Sequence, residues 1–121
     1  MSVGDVPVLD DAVVAELRDA TGGDDEFIVD LVETYVTEGA ANIEGIVAAA
    51  AAGDPVAIVR PAHTLKSSSA SLGAMRLSAI ARSIEEAGRA AVSDRLAADA
   101  KLARATWLET LEAFAAAGLR R

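Results

Sequence analysis

Between Phe27 and Ala50, apolar residues fall at Phe27, Ile28, Leu31, Val32, Tyr35, Ile43, Ile46, Val47 and Ala50. This three- and four-residue spacing is the signature of a long amphipathic α-helix with a buried stripe. An isolated helix gains little in water, so that stripe needs other elements to cover it. The composition says which. Hydrophobic residues make up 52% of the chain and aromatics only 3%. The apolar content is therefore mostly Ala, Val, Leu and Ile. Ala and Leu are strong helix formers, whereas a sheet would want more β-branched and aromatic residues.

Glycine, proline and acidic residues divide the rest into helical segments. A first helix is expected from about Asp10 to Ala20, with Val13, Val14 and Leu17 inward and Thr21-Gly22-Gly23 as its break. Asp24, Asp25 and Glu26 start the long second helix, where acids satisfy free N–H groups and suit the helix dipole. Gly53-Asp54-Pro55 ends it. Asp54 then caps a third helix over Pro55–Leu72, with Gly73 as its left-handed stop. Pro61 falls inside that span and predicts a bend near Ala57–Pro61. A fourth helix is expected over Met75–Ala91, with Leu77, Ile80, Ala81 and Ile84 inward. Ser93 is expected to cap a fifth, which carries Leu96, Ala100, Ala103, Trp107, Leu111 and Phe114 on one face. Short connections make consecutive helices antiparallel neighbours. The expected fold is all-α: an up-down antiparallel four-helix bundle with a short N-terminal capping helix. The 121 residues suit one domain, with its core over about 8–118.

The formal net charge is -8, which makes nucleic acid and anionic membranes poor partners. The charge is uneven. Residues 1–60 hold 13 acids and 2 bases, and residues 61–121 hold 6 acids and 9 bases. There is no cysteine, so thiolate metal sites and disulfides are excluded, and a cytoplasmic setting is expected. The N-terminus has neither the basic nor the apolar region of a secretory signal. The longest apolar run, near Ile46–Ala52, is far short of the ~20 residues a membrane span needs.

The mildly basic half contains the only histidine, His63. On a helix, Lys66, Ser67 and Ala70 share its face. The buried stripe of the same helix is Val59, Ala62, Leu65, Ser69 and Leu72, offset from that face. The imidazole therefore lies at the solvent side or the edge. A free imidazole titrates near 6.5 and offers a lone pair at neutral pH. A neighbouring ammonium disfavours a second positive charge on the ring, and pairs with phosphate oxygens once the ring carries them. From spacing alone, a lone histidine on an alanine-rich helix is more often an ordinary surface or boundary residue.

The segment Ala62-His63-Thr64-Leu65-Lys66-Ser67-Ser68-Ser69-Ala70-Ser71-Leu72-Gly73-Ala74 resembles the signature of histidine-containing phosphotransfer (HPt) domains. That pattern is a histidine, one residue, a leucine, a lysine, then small residues leading to Leu-Gly-Ala. Leu77, the Ile84-Glu85 pair, Tyr35 and the acidic start of the second helix are also similar. The resemblance implies a phosphorelay carrier without kinase activity of its own. His63 would accept a phosphoryl group from a receiver-domain phospho-aspartate, or from a (hybrid) histidine kinase, and pass it to another response-regulator receiver. It gives Lys66 the role of neutralising the phosphoryl charge. It puts Glu85 near the ring as a hydrogen-bond partner, with a solvated charge beside Glu86 as the alternative. Ser67 departs from the pattern, which often has glycine there. Its hydroxyl has the chemistry to bond the phosphate or to alter partner preference. Pro61, two residues before the histidine, is a second oddity. Small residues such as Ala70 leave room for a partner. Arg60, Arg76 and Arg82 would steer an acidic one, or else are solvated surface. The implied protein is a monomer with no cofactor or metal of its own, and Mg²⁺ would come from the receiver's acidic pocket.

Three other readings are weaker. A sensor-kinase dimerisation domain has an acid directly after its histidine and a proline four residues on; here those positions are Thr64 and Ser67. A plain helical interaction module would not need His63. A carboxylate-bridged metalloenzyme wants two Glu-x-x-His motifs.

Overall fold

The structure, a computed structural model, describes residues 3–121. Its described residues form a short 3₁₀ turn, Val3–Asp5, and five α-helices: α1 (Asp11–Ala20), α2 (Asp25–Ala51), α3 (Val59–Ser71), α4 (Met75–Arg89) and α5 (Leu96–Ala116). Each long helix packs on its chain neighbours, and α2 closes the ring on α5. This is the expected all-α bundle.

Two aspartates begin the first helices as their positions predict. Asp10 accepts from Ala12 N at 2.9 Å, and Asp24 accepts from Phe27 N at 3.3 Å. The core joins α2 and α5 through aromatics. Tyr35 meets Trp107 and Phe114 edge-on, with ring centroids 5.4 and 5.9 Å apart. Such pairs add about 1 kcal/mol each beyond their buried area. Gly39 makes this possible, because a Cβ there would overlap the Trp107 indole. Ser69 joins α3 to the same cluster through a 2.7 Å hydrogen bond with the Tyr35 hydroxyl. Phe27 and Leu31, expected in the α2 stripe, instead lie exposed at its edge.

The third helix is shorter than expected. Asp54 Oδ1 accepts from Val56 N and Ala57 N at 3.0 and 3.1 Å, so residues 55–58 form a turn and α3 begins at Val59. Pro61 is then the third helical residue, where an N–H has no partner within the helix. No bend is required, and Pro61 packs against Gly45 of α2. The fifth helix also starts differently. Its N-cap position is Arg95, not Ser93, and no side chain caps it. Ser93 lies too far ahead of Leu96 to reach the first-turn amides. The Arg95 guanidinium instead bonds Asp99 at 2.9 Å and Ser83 at 2.8 Å.

The short α1 covers the end of the bundle that holds the α3–α4 turn. Asp10 N donates to Gly73 O at 2.8 Å. Gly73 has φ +87°, and Val13 packs against it. His63 lies toward the opposite end of α3, which leaves it uncovered by α1.

Candidate functional site

Helix α3 buries Ala62, Leu65 and Ser69, and Val59 is half-buried. The face turned away from them presents His63, whose side chain is 55% exposed. Across the groove, α4 supplies Glu85, only 7% exposed at its side chain. Its carboxylate organises the site. Oε2 lies 2.9 Å from His63 Nδ1, and Oε1 accepts from Lys66 Nζ at 2.7 Å. Arg89, one turn further along α4, donates to Oε2 through Nε at 3.1 Å and Nη2 at 2.8 Å. Lys66 and Arg89 together outweigh burial and lower the Glu85 carboxyl to about 2. Glu85 is therefore ionised at neutral pH.

An ionised carboxylate only accepts hydrogen bonds. In the neutral imidazole the proton between the two groups therefore sits on Nδ1, and Nε2 keeps its lone pair. The site thus presents a nucleophilic nitrogen on an exposed ring that a buried anion orients. The Lys66 ammonium is paired with Glu85. The Lys66 stretch of α3 is fastened to α4 by Ser78 Oγ, which donates to Lys66 O at 2.8 Å.

The other expected residues divide. Arg60 lies beside His63 and makes no hydrogen bond or ion pair among the described residues. Arg82 is exposed, pairs with Glu86 at 3.2 Å, and lines a shallow depression with Lys66 and Glu85. Ser67 is exposed and Ala70 half-buried along the histidine face. The Ser68 and Ser71 hydroxyls donate to backbone carbonyls, whereas that of Ser67 has no partner among the described residues. Arg76 is not brought to this group. It sits nine residues before Glu85, about 13 Å along α4. Its guanidinium bonds Val6 O at 2.8 Å and Gly4 O at 3.2 Å, and lies 3.6 Å from Glu109. It fastens the N-terminal segment.

Arg89 is the residue that sequence reasoning missed. Its signal was present, since Glu85 and Arg89 stand four apart with the acid first, the favourable order on a helix. Among the described residues, no three His, Cys, Asp or Glu side chains cluster as metal ligands, and no helix is long and apolar enough to cross a membrane.

Comparison with known proteins is consistent with this geometry. The sequence matches the family model of the Hpt domain over residues 30–117. The fold is similar to the crystal structure of histidine-containing phosphotransfer protein B (HptB) from Pseudomonas aeruginosa PAO1. The TM-score is 0.80 at 29% identity, covering 91% of this chain and 93% of that one. A search of curated proteins gave no match.

Proposed function

The chain belongs to the Hpt domain family, and on that premise we propose that His63 is the residue that carries its phosphoryl group. Histidine phosphotransfer in phosphorelay signalling is the function that membership and the likeness to HptB support. The observation that carries the assignment to His63 is its setting. It is the sole histidine, exposed, with Nδ1 against an ionised carboxylate and Nε2 free.

In the proposed reaction the Nε2 lone pair attacks the phosphorus of a receiver's aspartyl phosphate. The P–O bond to the aspartate breaks and its carboxylate leaves with the electron pair. Nδ1 keeps its proton, and Glu85 balances the positive charge that develops on the ring. Lys66, already within reach of Glu85, shifts toward the new phosphoryl oxygens as a point charge. The reverse sequence hands the group to a second receiver. Carboxylates of the receiver would hold the Mg²⁺ that neutralises the phosphoryl oxygens. Ser67 offers its free hydroxyl on the same face. The protein acts as a monomeric cytoplasmic carrier, without kinase activity of its own, between receivers and a histidine kinase.

The test mixes the protein with phosphorylated receiver domains and Mg²⁺. Wild type is expected to gain acid-labile, base-stable phosphate. The assignment fails if His63→Gln gains as much, or if no receiver of the source organism donates.

A further inference from the structure

Four of the five α-helices end in the same way. The residue after the C-cap of α1, α2, α3 and α5 is a left-handed glycine: Gly22 (φ +64°), Gly53 (φ +64°), Gly73 (φ +87°) and Gly118 (φ +74°). Glycine takes this conformation with no Cβ to crowd the backbone. Helix α4 ends on Ala91 instead, at φ +57°, and no other non-glycine among the described residues has a positive φ. Its closing bonds are made all the same. Ala91 N donates to Gly88 O and Val92 N to Ala87 O, both at 3.0 Å. Alanine makes them against steric strain.

Gly88 weakens the same turn from within, because glycine gives up more backbone freedom in a helix than any other residue. It is required there. A Cβ at Gly88 would stand 2.8 Å from both Pro55 O and Val59 Cγ2. The last turn of α4 thus holds two unfavourable backbone positions. It also carries Arg89, whose Nε and Nη2 tie it to Oε2 of Glu85, one turn back, at 3.1 and 2.8 Å.

That tie is sensitive to the charge of the ring. His63 Nδ1 lies 2.9 Å from the same oxygen. While the ring is neutral, Oε2 serves one cation and one neutral donor. A ring phosphorylated on Nε2 with its proton kept on Nδ1 is a cation, so two cations then share one oxygen. Beside a carboxylate only 7% exposed, like charges repel more strongly than in water. Arg89 is the one free to leave. Its side chain is long and 61% exposed, and water can solvate the guanidinium, whereas the ring stands on a short stem.

We propose that the last turn of α4 is a latch that opens when His63 is phosphorylated: the cationic ring displaces Arg89 from Oε2, and the strained turn at Ala91 then loosens. The inference rests on the reading of His63 as phosphoacceptor. It makes the loaded and empty carriers differ in backbone order at residues 88–92, which take no part in the transfer itself.

The experiment follows amide hydrogen exchange by NMR in wild type, Ala91→Gly, Arg89→Gln and His63→Gln. Each protein is measured empty, and again after charging with phosphoramidate and a trace of the receiver that donates fastest to wild type, with ³¹P NMR reading the phosphohistidine. Charging wild type is expected to speed exchange at Ala90, Ala91 and Val92 roughly three- to tenfold, the size of losing one charge-assisted tie. The Leu119 amide, which closes α5 on Phe114 O in the same manner, is expected to stay unchanged. Ala91→Gly is expected to slow exchange in the empty protein about fivefold by relieving the strain. Arg89→Gln is expected to exchange fast whether empty or charged. If charged and empty wild type exchange alike at these amides, the latch is overturned and the assignment of His63 stands. An equal change at Leu119, an Ala91→Gly rate equal to wild type, or an Arg89→Gln protein that still responds to charging overturns it as well. If wild type gains no phosphohistidine, or His63→Gln gains as much phosphate, the reading of His63 falls and the latch falls with it.

Discussion

His63 and Arg89 meet on a single oxygen atom. Oε2 of Glu85 lies 2.9 Å from the ring nitrogen Nδ1 and accepts from Arg89 Nη2 at 2.8 Å, while Lys66 occupies the other oxygen. The His63 ring on α3 is thus aimed by a carboxylate whose own position two cations fix. Removing one member leaves the others in altered roles, so each has a distinct expected phenotype.

Glu85→Gln keeps the shape of the side chain and removes its charge. The amide cannot accept from the ring, Lys66 and Arg89 together. The Nδ1 proton loses its anionic partner, and the neutral ring is expected to mix its two tautomers. Transfer should slow by roughly ten- to a hundredfold, the cost typical of losing a group that orients a functional histidine. Imidazole ¹⁵N shifts read the tautomer directly, and unchanged shifts would remove Glu85 from this role.

Lys66→Ala leaves Glu85 bonded to His63 and Arg89, so the fold and helicity should hold. The phosphorylated ring then lacks the ammonium proposed to meet its phosphoryl oxygens. Transfer is expected to slow by on the order of a hundredfold, in line with the loss of one donor to a developing anion. Lys66→Arg should recover part of that loss. A Lys66→Ala rate equal to wild type would take Lys66 out of the mechanism.

Acid should weaken the network in a defined window. The Glu85 carboxyl is held at about 2 by Lys66 and Arg89, against an ordinary value of 4.5. A lowered carboxyl stabilises the folded state fully above its unfolded value, and that contribution is lost as pH falls through the folded value. The stability difference between wild type and Glu85→Gln should therefore be constant above about 4.5 and shrink toward pH 2. Urea denaturation at a series of pH values measures it. A difference that stays flat through this window would contradict the coupling.

Tyr35→Phe tests how α3 is anchored behind the site. The Tyr35 hydroxyl shares a buried 2.7 Å hydrogen bond with Ser69, and burial pushes its pKa up to about 12 despite that bond. Phenylalanine would leave the Ser69 hydroxyl buried without its partner, at a cost of about 1–3 kcal/mol. Adding Ser69→Ala should cost less than the sum of the single changes. Chemical denaturation of the four proteins completes the cycle.

Much of the fold is legible in residue order because its signals are local. The caps at Asp10 and Asp24, the stop at Gly73 and the buried face Ala62, Leu65 and Ser69 each depend on residues within a turn or two. Pro61 shows the limit. Its meaning turned on whether α3 began at Pro55 or Val59, and the Asp54 turn decided that. Ser93 misled for the same reason. The side chains of the site resist local reading. His63 and Lys66 share a helix face, but Glu85 reaches them only through the register of α3 on α4. Arg76 and Arg82 look alike as charges in sequence, yet their different positions along α4 send one to the N-terminal segment and leave the other near Lys66.

The fastening of Arg76 to Val6 and Gly4, together with that of Asp10 to Gly73, gathers the N-terminal segment at the α3–α4 turn. From His63 to that turn is about 13 Å along α3. Cargo attached ahead of the strap would hang from the far pole of the molecule and leave the imidazole clear.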